Sequence, residues 1–113
     1  MIEKNKSRKF LDLLEKRIYE TNGDLEKVEE QLEALLVKKR QLHLHVIGIC
    51  DTFACHLSTA SETEKKKMSG FFYAVEGIWK RDRARLTNEI KQAEEKRKEL
   101  NARLTRLVKK APW

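Results

Sequence analysis

The sequence predicts an all-α chain folded as an antiparallel two-helix coiled-coil hairpin, a single domain over residues 1–113. Three observations predict it. Of the 113 residues 38% are charged, with one proline and four glycines, a composition of long solvent-exposed helices rather than of a compact globule. Apolar residues recur in alternating steps of three and four along nearly the whole chain, the period of a left-handed coiled coil. A single lapse near the middle divides that pattern into two halves of similar length.

Helix one is expected over about residues 3–57. Its seam runs Leu11, Leu14, Ile18, Thr21, Leu25, Val28, Leu32, Leu35, Lys39, Leu42, Val46, Ile49, Phe53 and His56, and eleven of these fourteen positions are apolar. Asn22-Gly23 has the form of a turn, yet the register passes through it without a slip, so the helix continues at a cost of about 1 kcal/mol for the glycine.

Past Leu57 the pattern lapses at Ser58-Thr59-Ala60-Ser61, which places the turn at about residues 58–61. Both Thr59-x-x-Glu62 and Ser61-x-x-Glu64 have the form of a capping box, and either opens a second helix. So short a connection makes the two helices antiparallel neighbours.

Helix two is expected over about residues 62–110, with a seam of Met68, Phe72, Val75, Trp79, Asp82, Leu86, Ile90, Ala93, Arg97, Leu100, Leu104 and Leu107. Folding the chain about residue 59 pairs the seams at residue numbers that sum to 118. Leu11 then meets Leu107, Leu14 meets Leu104, Ile18 meets Leu100, Leu25 meets Ala93, Val28 meets Ile90 and Leu32 meets Leu86. In this register Thr21 and Arg97 form one polar layer, and Lys39 stacks on the Trp79 indole. Pro112 stands where it ends helix two and interrupts nothing.

Two paired helices offer no concave pocket of converging side chains, and the motifs agree that this is not an enzyme. Cys55 and His56 are adjacent and diverge by about 100° on a helix, so they do not make a nucleophile and its base. There is no glycine pattern for nucleotides, and His43, His45, Cys50, Cys55 and His56 lack the spacing of a zinc site, so no cofactor is expected. His56 is expected to close the seam near the turn, Cys50 to serve as a small buried hydrophobe, and both thiols to be reduced. The longest apolar run, Leu42 to Cys50, falls far short of the roughly 20 residues of a membrane span, and no signal peptide opens the chain. A cytoplasmic location without membrane insertion follows.

The net charge of +7 is uneven: residues 1–58 carry 10 Lys+Arg against 10 Asp+Glu, and residues 59–113 carry 15 against 8. A basic second helix suits an acidic protein surface, an anionic membrane or nucleic acid. Interleaved glutamates and scarce aromatic residues weigh against nucleic acid, and a solvated charged face is the plainest account. The half of the chain near the turn also has more apolar residues than one seam uses, among them Leu44, Ile47, Leu57, Phe71, Tyr73 and Ile78. Either they widen the stripe against the partner helix or they dock a further protein.

Three segments carry a resemblance: Phe53-Ala54-Cys55-His56-Leu57, then Lys65-Lys66-Lys67-Met68-Ser69-Gly70-Phe71-Phe72, then Arg97-Lys98-Glu99-Leu100 with Lys109-Lys110. Over about residues 53–110 the chain resembles the YscO/FliJ-like central-stalk family of type III secretion systems, above all its short members from enteric pathogenicity islands. The resemblance implies a monomeric coiled coil seated in the hexameric secretion ATPase at the base of the apparatus. There it promotes ring assembly and ATP hydrolysis, links the ring to the cytoplasmic domain of the export gate and handles empty export chaperones. By analogy with that family, Arg8, Lys9, Arg103, Arg106, Lys109 and Lys110 are the expected ring contacts. Leu44, Ile47, Phe71, Tyr73 and Ile78 are the expected gate- or chaperone-docking surface. The competing readings are a generic coiled-coil adaptor that dimerises through its surplus apolar stripe, and a basic helical hairpin that binds nucleic acid.

Overall fold

A computed structural model describes residues 2–112, with side chains over residues 8–112. The chain is an all-α antiparallel two-helix hairpin: α1 spans Ile2–Leu57 and α2 spans Glu62–Lys109, with no strand among the described residues. Helix α1 runs through Asn22-Gly23 unbroken, and Gly23 holds ordinary helical backbone with nothing within 4 Å of where a Cβ would stand.

The connection is the four residues 58–61. The last carbonyls of α1 are taken up locally: the Ser58 hydroxyl donates to the Cys55 carbonyl at 2.7 Å, and the Thr59 amide to that of His56 at 3.3 Å. Of the two possible capping boxes it is the Ser61 box that forms. The Glu64 amide donates to Ser61 Oγ at 3.3 Å, and the Ser61 amide donates to Glu64 Oε2 at 3.2 Å. Glu62 and Glu64 also place negative charge in the first turn of α2, and Arg106 and Lys109 place positive charge in its last, both favourable to the helix dipole.

The chain divides into two compact units. The first comprises residues 1–33 and 91–113 and so holds both chain ends. Its seam is well buried: Leu14, Leu25, Val28, Leu32, Ala93, Leu100 and Leu107 are all covered, and Leu104 packs against the cluster of Leu25, Val28 and Leu100. The second unit, residues 34–90, contains the turn. Leu35 and Ile90 are buried in it, but Leu42, Val46, Ile49, Phe53, Phe72, Val75 and Trp79 are only half-buried, so this seam is shallower.

The 3–4 seam is therefore as expected, and the pairing of its two halves is not. Leu25 clusters with Leu100 rather than facing Ala93, and the rings of Phe53 and Phe72 stack at 4.7 Å. Both pairs sum to 125, not 118, a displacement of one whole heptad. A heptad repeat matches apolar to apolar equally well after a seven-residue shift, so the periodicity alone does not select between them. The observed register brings the two phenylalanines together, and offset ring stacking adds to the area they bury.

Four further expectations change. Thr21 is buried, but its hydroxyl donates to the Arg17 carbonyl of its own helix at 2.7 Å, and in the shifted register Arg97 is not its partner. The cation over the Trp79 ring is Arg83, one turn along the same helix and 5.5 Å from the ring centroid, in place of Lys39. His56 is exposed and does not close the seam, and Cys50 is half-buried; Cys50 and Cys55 are both free thiols. The half-buried Asp82, a polar break in the second seam, is held by Arg85 at 2.6 Å.

Among the described residues every ion pair lies within one helix: Lys16–Glu20, Glu62–Lys65, Glu76–Lys80 and Asp82–Arg85. Exposed pairs of this kind contribute about 0.3–0.5 kcal/mol each, so cross-helix electrostatics do not set the register; apolar packing does.

Candidate functional site

Several grooves follow from how the seams are filled among the described residues. The largest lies in the turn-bearing unit, about 830 Å³ between Leu44, Gly48, Ile49, Thr52 and Phe53 of α1 and Met68, Phe71 and Phe72 of α2. Gly48 and Thr52 sit one turn apart and are small, which leaves the wall open; the Thr52 hydroxyl is turned back onto the Gly48 carbonyl at 2.9 Å and presents its methyl instead. Lys67, His45 and His56 form the polar rim. Of the expected docking residues, Leu44 and Phe71 line this groove, at 60% and 68% exposure. Ile47, Tyr73 and Ile78 are exposed as well but lie outside it. All five are exposed, from 43% at Ile47 to 74% at Tyr73, whereas Leu57 is half-buried.

In the unit holding the chain ends, Arg103 and Arg106 of α2 and Lys110 just past its end line a shallow cleft of about 490 Å³ with Arg17, Glu20, Thr21 and Asp24 of α1. Arg8, Lys9 and Lys109 are exposed but do not line it. Here α2 supplies cations and α1 supplies both a cation and carboxylates, so the cleft is mixed in sign. Arg17 was missed in the sequence; its signal is its position one turn before Thr21, which in the shifted register faces the end of α2.

The third groove, about 350 Å³, is again in the turn-bearing unit, between Leu36, Lys39, Arg40, Leu42 and His43 of α1 and Trp79 and Arg83 of α2. Sequence reasoning set Lys39 beside Trp79 and Leu42 on the seam, all three of which line this groove, and did not bring in Leu36, Arg40 or Arg83. No family model, curated protein or solved structure matches this chain.

Among the described residues no three of His, Cys, Asp and Glu come together as a metal site, and no helix is long and apolar enough to cross a membrane. The polar side chains among the described residues are all satisfied where they are buried. What stands open is apolar area in both units, Phe10, Leu13, Tyr19 and Val108 in the one and Leu44, Phe71, Tyr73 and Ile78 in the other, together with exposed positive charge.

Proposed function

We propose that this chain is the central stalk of a type III secretion ATPase. It enters the hexameric ring through the unit that holds both chain ends, stimulates ring assembly and ATP hydrolysis, and links the ring to the export gate at the cytoplasmic base of the apparatus. It hydrolyses nothing itself. The observation that carries the reading is a hairpin of two long helices whose end-bearing unit presents Arg103, Arg106, Lys109 and Lys110 on one exposed stretch. Exposed cations of this kind engage acidic groups around a ring without one fixed register and set specificity more than raw affinity. The segments that carry the sequence resemblance, 53–57 and 65–72, are also in mutual contact through Phe53 and Phe72. The exposed Leu44, Ile47, Phe71, Tyr73 and Ile78 serve the gate or the export chaperones.

The test is steady-state ATP hydrolysis by the cognate secretion ATPase with and without stoichiometric protein, beside a variant with Arg103, Arg106, Lys109 and Lys110 reversed in charge. Stimulation by the native chain and its loss in the variant are expected. No stimulation by the native chain sinks the reading.

The large apolar groove favours one second reading, a coiled-coil adaptor that pairs with another copy of itself. Sedimentation separates the two, since the stalk is a monomer and the adaptor a dimer.

A further inference from the structure

The groove around Trp79 differs from the cleft at the chain ends in its charge. Lys39, Arg40, His43 and Arg83 surround Trp79, Leu36 and Leu42, and no carboxylate lines it. The imbalance is built into the chain: from Ala34 to Cys50, α1 has not one Asp or Glu. On the α2 side the two neighbouring carboxylates are committed elsewhere, Glu76 to Lys80 at 3.1 Å and Asp82 to Arg85 at 2.6 Å. Among the described residues Lys39, Arg40 and Arg83 take part in no ion pair. At the floor Leu36 is 47% exposed and Trp79 half-buried, so apolar area stands open between the cations.

We infer that this groove is a docking site for an acidic protein segment that inserts a bulky apolar side chain between flanking carboxylates. The cations answer the carboxylates, with Arg able to grip them in bidentate fashion, and the leucines and the indole edge take the apolar side chain. A nucleic-acid strand shares the negative charge but fits less well. It needs an open aromatic face for base stacking, and the Trp79 face is already covered by the Arg83 guanidinium at 5.5 Å. The inference concerns the turn-bearing unit alone and stands whether or not the chain is a secretion stalk.

The probe is a blocked, dye-labelled peptide Glu-Glu-Leu-Phe-Glu-Glu, followed by fluorescence anisotropy against the whole chain at physiological salt. Saturable binding is expected. It should weaken by about tenfold in Arg40→Glu and several-fold in Arg40→Gln, whose neutral side chain adds no repulsion. Arg40 is exposed, and circular dichroism reads the helicity of both variants in parallel. A control peptide with Ser-Ser in place of Leu-Phe should bind about tenfold more weakly. Four results overturn the inference: absence of binding, equal binding of the Ser-Ser peptide, equal weakening by Arg103→Glu in the other unit, or tighter binding of a labelled oligothymidylate. The last would make the groove a nucleic-acid site instead.

Discussion

Thr21 is a polar residue on an apolar seam that needs no partner across the interface. Its hydroxyl is satisfied by the Arg17 carbonyl one turn back, and the residue is 5% exposed. Thr21→Val should therefore leave stability unchanged to within about 0.5 kcal/mol, or raise it slightly, in chemical denaturation. Had Thr21 shared a polar layer with Arg97, the same change would orphan a partner and cost about 1–3 kcal/mol. Truncation separates the seam from the open surface. Leu25 is 8% exposed and packs with Val28 and Leu100, so Leu25→Ala should cost about 2 kcal/mol, near the low end for a core leucine because so shallow a seam relaxes onto the gap. Leu44 is 60% exposed, and Leu44→Ala should cost less than about 0.5 kcal/mol while impairing whatever docks there.

At the scale of the helix, Gly23 is a weak link that nothing in the packing requires. A Cβ there meets no atom within 4 Å and the backbone is ordinary helix, so Gly23→Ala should stabilise the hairpin by about 1 kcal/mol, read as a higher thermal midpoint. An unchanged or lower midpoint would argue against a continuous α1. The pairing of the helices has a sharper test. With Cys50 and Cys55 replaced by serine, the pair Leu25→Cys with Leu100→Cys should oxidise to an intramolecular disulfide, and Leu25→Cys with Ala93→Cys should not. A disulfide bridges Cα atoms no more than about 7 Å apart, and a seven-residue displacement along a helix is about 10 Å. Crosslinking of the second pair alone would restore the other register.

Across the whole molecule the two units differ in how they meet solvent. The end-bearing unit is tightly seamed and carries its cations beside carboxylates. The turn-bearing unit is loosely seamed, with an apolar groove and a cationic groove that α1 leaves without counter-charges. On the proposed function, stimulation of the ATPase depends on exposed charges and should fall steeply between about 50 mM and 500 mM salt, as the Debye length shrinks below the spacing of the groups. Binding to the apolar groove should persist over the same range. Stimulation insensitive to salt would move the ring contact away from Arg103, Arg106, Lys109 and Lys110.

The amino-acid sequence by itself determined the helices, the positions that face inward and the place of the turn. Each of these is local: a 3–4 spacing, a glycine the register ignores, a serine three residues before a glutamate, a proline past the last turn. Only the tertiary structure decided which heptad of α2 meets which heptad of α1, because a repeat looks the same after one period and the choice rests on contacts such as Phe53 on Phe72. From that choice follow the isolation of Thr21 from Arg97 and the grouping of exposed residues into grooves; the Arg83 cation over Trp79 is a contact four residues along one helix. Leu44 and Phe71 were legible as surplus apolar residues, but that they share a groove which Ile47, Tyr73 and Ile78 do not enter depends on helix pairing. The cationic groove was legible only in part: Lys39 was set beside Trp79 and Arg83 stands four residues along the same helix, but Arg40 is far away in the chain and only the folded pairing brings it to the same groove.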